Sequence, residues 1–255
     1  MPQKSKLIIL GSLAITAFLV WLAVYIQEEQ NFLKVYFFDV GQGDAILIQK
    51  NSQQILIDGG PNKAILQKLG QAMPFWDKNI ELVISTHPDY DHLAGLNYVL
   101  ERYKVNLILE TSILCQTQAC QKYQSFDKLR KIAEIGQQIK LGQNWLINIL
   151  SVKESIVAKM LYQDKSFLFT GDAGFVIEKE LINNNFNLKS DILKVGHHGS
   201  KNATSQEFLE QVNPEIAVIS VGKNNQYNHP APETLERLKD IQVLRTDEIG
   251  DIIIK

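Results

Sequence analysis

The chain has 255 residues, of which 45% are hydrophobic and 21% charged, with 26 Lys and Arg against 28 Asp and Glu. That length and apolar content suffice for one large core and exclude a disordered chain. The net charge of −2 excludes a generally basic surface, so any contact with a polyanion must be confined to a patch.

Residues Leu7 to Ile26, LIILGSLAITAFLVWLAVYI, contain no charge. As a helix rising about 1.5 Å per residue, they match the roughly 30 Å hydrocarbon core of a bilayer. A cleaved signal peptide has a shorter apolar stretch and a small-residue cleavage site, and a core helix would show a polar face, so a spanning anchor is the preferred reading. The expected division is a cytoplasmic stub 1–6, a transmembrane helix 7–26, a linker 27–32 and one domain over 33–255. Lys4 and Lys6 precede the span and Glu28 and Glu29 follow it, with Trp21 and Tyr25 near the far end. The positive-inside rule therefore places the N-terminus in the cytoplasm and the domain outside, at the cell membrane.

Three apolar runs follow, LKVYFFDV, DAILIQK and QQILIDGG, each closed by Gly, Asn or Asp, and they predict an antiparallel meander. Helices then alternate with strands: a helix over 63–73, strand ELVISTH, a helix over 91–102, strand VNLILE, and a long amphipathic helix over 120–138. Within this stretch Cys115 and Cys120 have two readings, a small-loop disulfide suited to an extracytoplasmic domain or two diverging positions on a helix. A second strand-rich run over 145–172 holds WLINILSV, SIVAKMLY and KSFLFTGD. The last third brings SDILKVG, a helix opened by a capping box from Thr204 to Glu207, EIAVISVG, a helix with Pro232 in its first turn, and strands around VLRTD and DIIIK. Two strand-rich halves, each followed by helices, predict an α/β fold of two packed sheets with helices outside, a four-layer αββα sandwich.

The strongest chemical signal is THPDYDHLAG, residues 86–95, where His87, Asp89, Asp91 and His92 crowd one turn between a strand and a helix. A metal ion needs lone pairs converging from several directions, which a loop at a strand end supplies and a regular helix does not. Asp172 in FLFTGD, and His197 and His198 in ILKVGHH, also stand at the ends of apolar strands, where loops carry sites. Two adjacent histidines on a strand cannot both face one point, so one is expected as ligand, His197 by preference, with His198 orienting a ligand or meeting substrate. His229 in YNHP is a candidate to stabilise developing charge or to protonate a leaving oxygen. Asp39, Asp44 and Asp58 are expected to brace the site. Lys201 is a candidate phosphate contact, while Lys194 and Lys223 read as solvated. The glycine-rich strings lack the spacing of a phosphate loop.

These motifs, together with FFDVGQGDAILI and ILIDGG and in this order, resemble the metallo-β-lactamase superfamily, in the HxDxDH form seen in the extracellular nuclease domain of ComEC-type competence proteins. The resemblance covers nearly all of 33–255. It implies a dinuclear metal-dependent hydrolase, with His87 and Asp89 on one ion, Asp91 and His92 on the second, Asp172 bridging, and His197 completing the ligands of the second ion. Many members supply a further His before the bridging aspartate, and residues 93–171 contain none. The resulting oxygen-rich first site suits Mn2+ or Mg2+ better than an imidazole-rich zinc site does, so two divalent ions, Zn2+ or Mn2+, are the expected cofactors. The expected function is that of a membrane-anchored extracytoplasmic nuclease or phosphodiesterase acting on DNA, with a separate channel protein as possible partner. The alternatives are hydrolysis of a cell-envelope phosphodiester or another ester or amide, and a metal-stabilised binding module with little turnover.

Overall fold

A computed structural model describes residues 3–141 and 145–255, with the side chains of 6–8 and 22–31 outside the described set. Expectations placed on Met1, Pro2 and the side chains of Lys6, Tyr25, Glu28 and Glu29 therefore fall outside it. Helix α1 (Gln3–Asn31) is long and apolar enough over Gln3–Trp21 to cross a membrane, and none of that stretch is buried against the rest of the chain. It continues through 27–31, where a linker was expected.

The first half contains β1 (Lys34–Phe37), β2 (Ile46–Lys50), β3 (Gln53–Ile57), α2 (Ala64–Ala72), β4 (Asn79–Ser85), α3 (Tyr90–Arg102), β5 (Lys104–Glu110), α4 (Gln118–Ser125) and β6 (Arg130–Ile132). The second contains β7 (Gln138–Leu141), β8 (Trp145–Ser151), β9 (Val157–Tyr162), β10 (Lys165–Phe169), α5 (Phe175–Asn183), β11 (Ile192–Lys194), α6 (Gln206–Val212), β12 (Ile216–Ile219), α7 (Pro232–Arg237) and β13 (Gln242–Arg245). A short helix α8 (Thr246–Ile249) leads to β14 (Ile252–Ile254), which leaves the second half and pairs antiparallel with β1. The two sheets are ordered β14-β1-β2-β3-β4-β5-β6 and β13-β12-β11-β10-β9-β8-β7. Each begins as an antiparallel meander and turns parallel at its third or fourth strand, at β3–β4 and at β10–β11.

Period-two alternation divides the strand residues between cores. Val35 and Phe37, Ile46 and Ile48, Ile55 and Ile57, and Phe167 and Phe169 fill the layer between the sheets. Tyr36, Leu47 and Leu56 face α2 and α3 instead, and Leu168 and Leu193 face the second half's helices. Apolar surface on both faces of each sheet is what makes the sandwich four layers deep. Phe37 and Phe169 meet across the central layer with ring centroids 6.3 Å apart, and truncating either to Ala would cost about 3–5 kcal/mol.

The long helix expected over 120–138 is α4 followed by two short strands. Arg130 donates to the Glu110 carboxylate at 2.8 Å, and β6 pairs in parallel with β5, so the edge of the first sheet captures residues whose helical periodicity carries no core face. Cys115 and Cys120 form a disulfide, which decides between their two readings. The capping box is also displaced. Thr204 has φ 58°, and the N-cap of α6 is Ser205, whose hydroxyl accepts from the Phe208 amide, while the Glu178 carboxylate accepts from the Thr204 and Ser205 amides. Glu207 takes no part in that cap; a carboxylate from α5 does the work locally expected of it.

Candidate metal centre

The carboxyl ends of β3, β4, β10 and β11 meet at one edge of the sandwich, and the candidate residues gather there. α3 is brought onto β3 by a close backbone approach: Gly59 N donates to His92 O at 2.8 Å and Gly95 N to Gly60 O at 2.8 Å. A Cβ at Gly95 would lie 1.8 Å from Gly59 O, so only glycine lets the helix dock this closely. Docking places His92 beside Asp58.

Asp58 is fully buried and organises two rings. Its Oδ2 accepts from the Thr86 hydroxyl at 2.6 Å and pairs with His92 Nδ1 at 2.8 Å, and Thr86 Oγ1 in turn lies 2.9 Å from His87 Nδ1. A carboxylate only accepts, so His92 Nδ1 carries a proton; with the hydroxyl hydrogen spent on Asp58, His87 Nδ1 carries one as well. His198 Nδ1 donates to Ser220 O at 2.9 Å. Three imidazoles thus have their Nδ1 atoms occupied, which leaves their Nε2 atoms turned to the centre.

There, His92 Nε2 lies 3.2 Å from His198 Nε2 and 3.3 Å from Asp172 Oδ1. Asp91 Oδ2 is 3.4 Å and Asp172 Oδ1 3.5 Å from His198 Nε2. His87 Nε2 lies 3.6 Å from Asp172 Oδ2 and 3.7 Å from Asp89 Oδ2. Both His87 Nε2 and Asp172 Oδ1 are buried without a hydrogen-bond partner. Buried polar atoms are ordinarily satisfied, so these orphans mark places for a ligand. Asp91, His92 and His198 present donors all within 4.8 Å of one another, as do Asp44, His92 and Asp172. The site therefore fits divalent cations by donor type, spacing and unsatisfied atoms.

His197 and His198 are not on a strand. They occupy a tight turn, Gly196–Gly199, with φ of 47° and 53°, which sends both rings towards Asp172. His198 Nε2 meets its Oδ1, while His197, 48% exposed, brings Nε2 to 3.8 Å from its Oδ2. The expectation that only one of them could face the centre rested on strand geometry that this turn does not have.

Asp44 is buried and pairs with Lys194 Nζ at 2.5 Å; Lys194 also donates to Gly171 O at 3.0 Å. Lys194 shares the inward face of β11 with Ile192 and is wholly buried, which overturns its reading as a solvated lysine. Asp39 does not reach the cluster: its Oδ1 accepts from Gly41 N at 3.2 Å and shapes its own turn. Lys201 and Lys223 are exposed. His229 lies beside the cluster, its ring 5.8 Å from that of His197. The sequence reading missed Thr86, Lys194 and the Ser220 carbonyl, and only the position of Lys194 beside HH in strand register hinted at its role.

The electrostatics are those of a cluster awaiting cations. Burial opposes charging His92, but Asp172, and then the bond to Asp58, hold its imidazolium well above the ordinary range. Burial likewise opposes ionising Asp172 and Asp91, yet His92 and His198 hold Asp172 well below the ordinary carboxylate range, and a bond from His198 with the charge of His92 takes Asp91 to about 2. Burial, then His197 and His198, push His229 down.

Residues 38–223 match the model of the metallo-beta-lactamase superfamily. ComE operon protein 3 of Bacillus subtilis is 30% identical over 97% of this chain and 36% of its own length; Recombination protein 2 of Haemophilus influenzae is 32% identical over 78% and 26%; and competence protein ComA of Neisseria gonorrhoeae is 29% identical over 87% and 32%. The chain thus spans about a third of the length of these curated relatives. Among solved structures, the metallo-beta-lactamase fold protein YhfI of Bacillus subtilis superposes with a TM-score of 0.63 at 12% identity, over 88% of this chain and 99% of that one. A diphosphatase of the PhnP family gives 0.56 at 15%, over 88% and 98%. With two sheets between helices and the matched segment running through every strand that feeds the centre, this chain belongs to the metallo-beta-lactamase superfamily, whose members are typically metal-dependent hydrolases.

Proposed function

We propose that this protein is a dinuclear metal-dependent phosphodiesterase acting on DNA, anchored by α1 with its domain outside the cytoplasmic membrane. The observation that carries the reading is the set of three imidazole Nε2 atoms, their Nδ1 sides tied down, converging on the Asp172 carboxylate, whose Oδ1 is unsatisfied. Asp91, His92 and His198 would hold one ion and His87, Asp89 and His197 the other, with the Asp172 carboxylate within reach of both sets. His197 thereby supplies the imidazole that residues 93–171 lack, and His198 takes the place first expected of His197.

Two ions so held, Zn2+ or Mn2+, would supply a nucleophilic water at neutral pH and neutralise charge on a phosphodiester. The chain does the rest. Asp58 and Ser220 fix the rings through Nδ1, so the Nε2 lone pairs need no reorganisation. Lys194 keeps Asp44 and the Gly171 turn in place behind Asp172. His229, neutral at pH 7, is suited to accepting a hydrogen bond or a proton at the edge of the centre rather than to protonating the leaving oxygen. The relatives named above for competence and recombination favour DNA over an envelope diester here. A separate channel protein as partner belongs to the same proposal.

The test is to purify the full chain in detergent, load Mn2+ or Zn2+, and offer single-stranded DNA, duplex DNA and bis-p-nitrophenyl phosphate. DNA cleavage with two bound ions per chain is expected, falling to one ion in His197→Ala and in His198→Ala. Cleavage of the small diester alone removes DNA as substrate. Two ions retained in His197→Ala removes it from the ligand set. Protease protection of the domain in intact cells would reverse the orientation.

A further inference from the structure

Beside the candidate metal centre runs a cleft of about 430 Å³, lined in part by Tyr90, Asp91 and the 225–227 turn. Its makeup does not match a phosphate groove. Among the described residues no Lys or Arg lines it; its one charged residue there is Asp91, and Gln42, Asn62 and Gln226 give it carboxamide polarity. Two large apolar faces are spent on solvent, with Tyr90 63% and Tyr227 56% exposed. Two exposed aromatics lining an amide-bearing slot whose one charge is the Asp91 carboxylate suit a flat heterocycle with hydrogen-bonding edges rather than a phosphate.

The Tyr227 wall is built and held. Its ring stacks on His229 with centroids 5.8 Å apart and planes 27° from parallel, and His229 meets His197 edge-on at 5.8 Å, so a row of rings leads from the cleft to the Asp172 oxygen. The Asn225 carboxamide fixes the turn from within: it donates to Gly222 O at 3.0 Å and His229 O at 2.6 Å and accepts from Tyr227 N at 3.1 Å and His229 N at 3.0 Å. Four bonds from one buried-edge amide leave the platform little freedom to lose on binding.

We infer that this cleft is a subsite for an unpaired nucleobase flanking the scissile phosphate, stacked on Tyr227 with Tyr90 lining the same cleft, and that it selects single strands and frayed ends over intact duplex. The inference rests on the DNA-phosphodiesterase reading and narrows its substrate. Bases inside a duplex are already stacked and present only their edges, whereas an unpaired base offers a face. Stacking on an aromatic side chain is worth about 1–3 kcal/mol per base, roughly 5- to 150-fold in affinity, and does not depend on which base is present.

The test compares oligo(dT) with an abasic strand of equal length and charge, using the Mn2+-loaded full chain. The base-bearing strand should show a KM at least about fivefold lower. Tyr227→Ala should collapse that ratio towards one, Tyr90→Ala should reduce it, and Tyr227→Trp should restore it. A ratio of one in the wild type, or an unchanged ratio in both alanine variants, overturns the subsite. If no strand is cleaved, the phosphodiesterase reading fails separately. Binding then decides: a single strand carrying 2-aminopurine should be quenched by wild-type protein and not by Tyr227→Ala, and equal quenching or none removes the subsite too.

Discussion

The two halves of the molecule use the same plan and reach different ends with it. In each, a carboxylate follows the last antiparallel strand, Asp58 after β3 and Asp172 after β10, and histidines follow the next, parallel strand, His87 and His92 after β4 and His197 and His198 after β11. Asp58 is fully buried and spends its oxygens on Thr86 and His92. Asp172, with its side chain 13% exposed, faces four imidazoles and keeps an oxygen unsatisfied. Equivalent positions thus serve as a brace in one half and, in the function proposed above, as a ligand in the other. The difference lies in what stands beside each: the Thr86 hydroxyl and amide consume Asp58, while beside Asp172 stand the left-handed His197–His198 turn and the buried Lys194.

Breaking that comparison at its ligand end should have the largest effect. Asp172→Asn removes the one carboxylate that, among the described residues, lies within reach of both proposed ion sites, and metal-supported turnover should fall at least about a hundredfold, since charge stabilisation of several kcal/mol is lost. Metal analysis unchanged from wild type would sink the bridging role. Lys194→Met comes next. It strands the buried Asp44 carboxylate, and removing one partner of a buried pair costs about 3–5 kcal/mol, so the ion-free protein should unfold at markedly lower denaturant, with part of the loss recovered on adding Mn2+. Unchanged stability would show that Asp44 is satisfied elsewhere.

At the bracing end a smaller effect is expected. Asp58→Asn keeps size and shape but removes the acceptor that fixes His92 and, through Thr86, His87; metal affinity should weaken about 10- to 100-fold while the fold persists. Loss of affinity equal to that of Asp172→Asn would erase the distinction between brace and ligand. The smallest effect is in acid. Asp91 has its pKa lowered from 3.8 to about 2 in the folded, ion-free protein, so the unfolded chain binds the proton more tightly. The stabilisation it contributes is present above about pH 4 and lost as pH falls towards about 2. Asp91→Asn should flatten that part of the stability profile, and an unaltered slope would mean that His198 does not hold the carboxylate.

Much of the site was legible because it is local. His87, Asp89, Asp91 and His92 lie within six positions, and no fold is needed to see that they share a turn. The strands were legible for the same reason, since burial on one or both faces writes itself into alternation or apolar runs, and even the recurrence of the halves showed. The edge of the first sheet was not, because residues 126–138 have a helical spacing of apolar groups, and Arg130–Ile132 within them become a strand only when β5 offers backbone partners and Glu110 an anchor for Arg130.

The sequence by itself therefore determined the superfamily, the four layers and the donor inventory, all of which rest on residue type and short-range order. Tertiary structure alone decided how that inventory is divided. Which histidine points where depends on φ values in a turn; whether Lys194 meets water or Asp44 depends on which face of β11 the first sheet covers; and whether a carboxylate braces or binds depends on donors from strands far away in the chain. Each is a matter of long-range contact, where the free energy of a buried charge is set by neighbours that sequence order does not name.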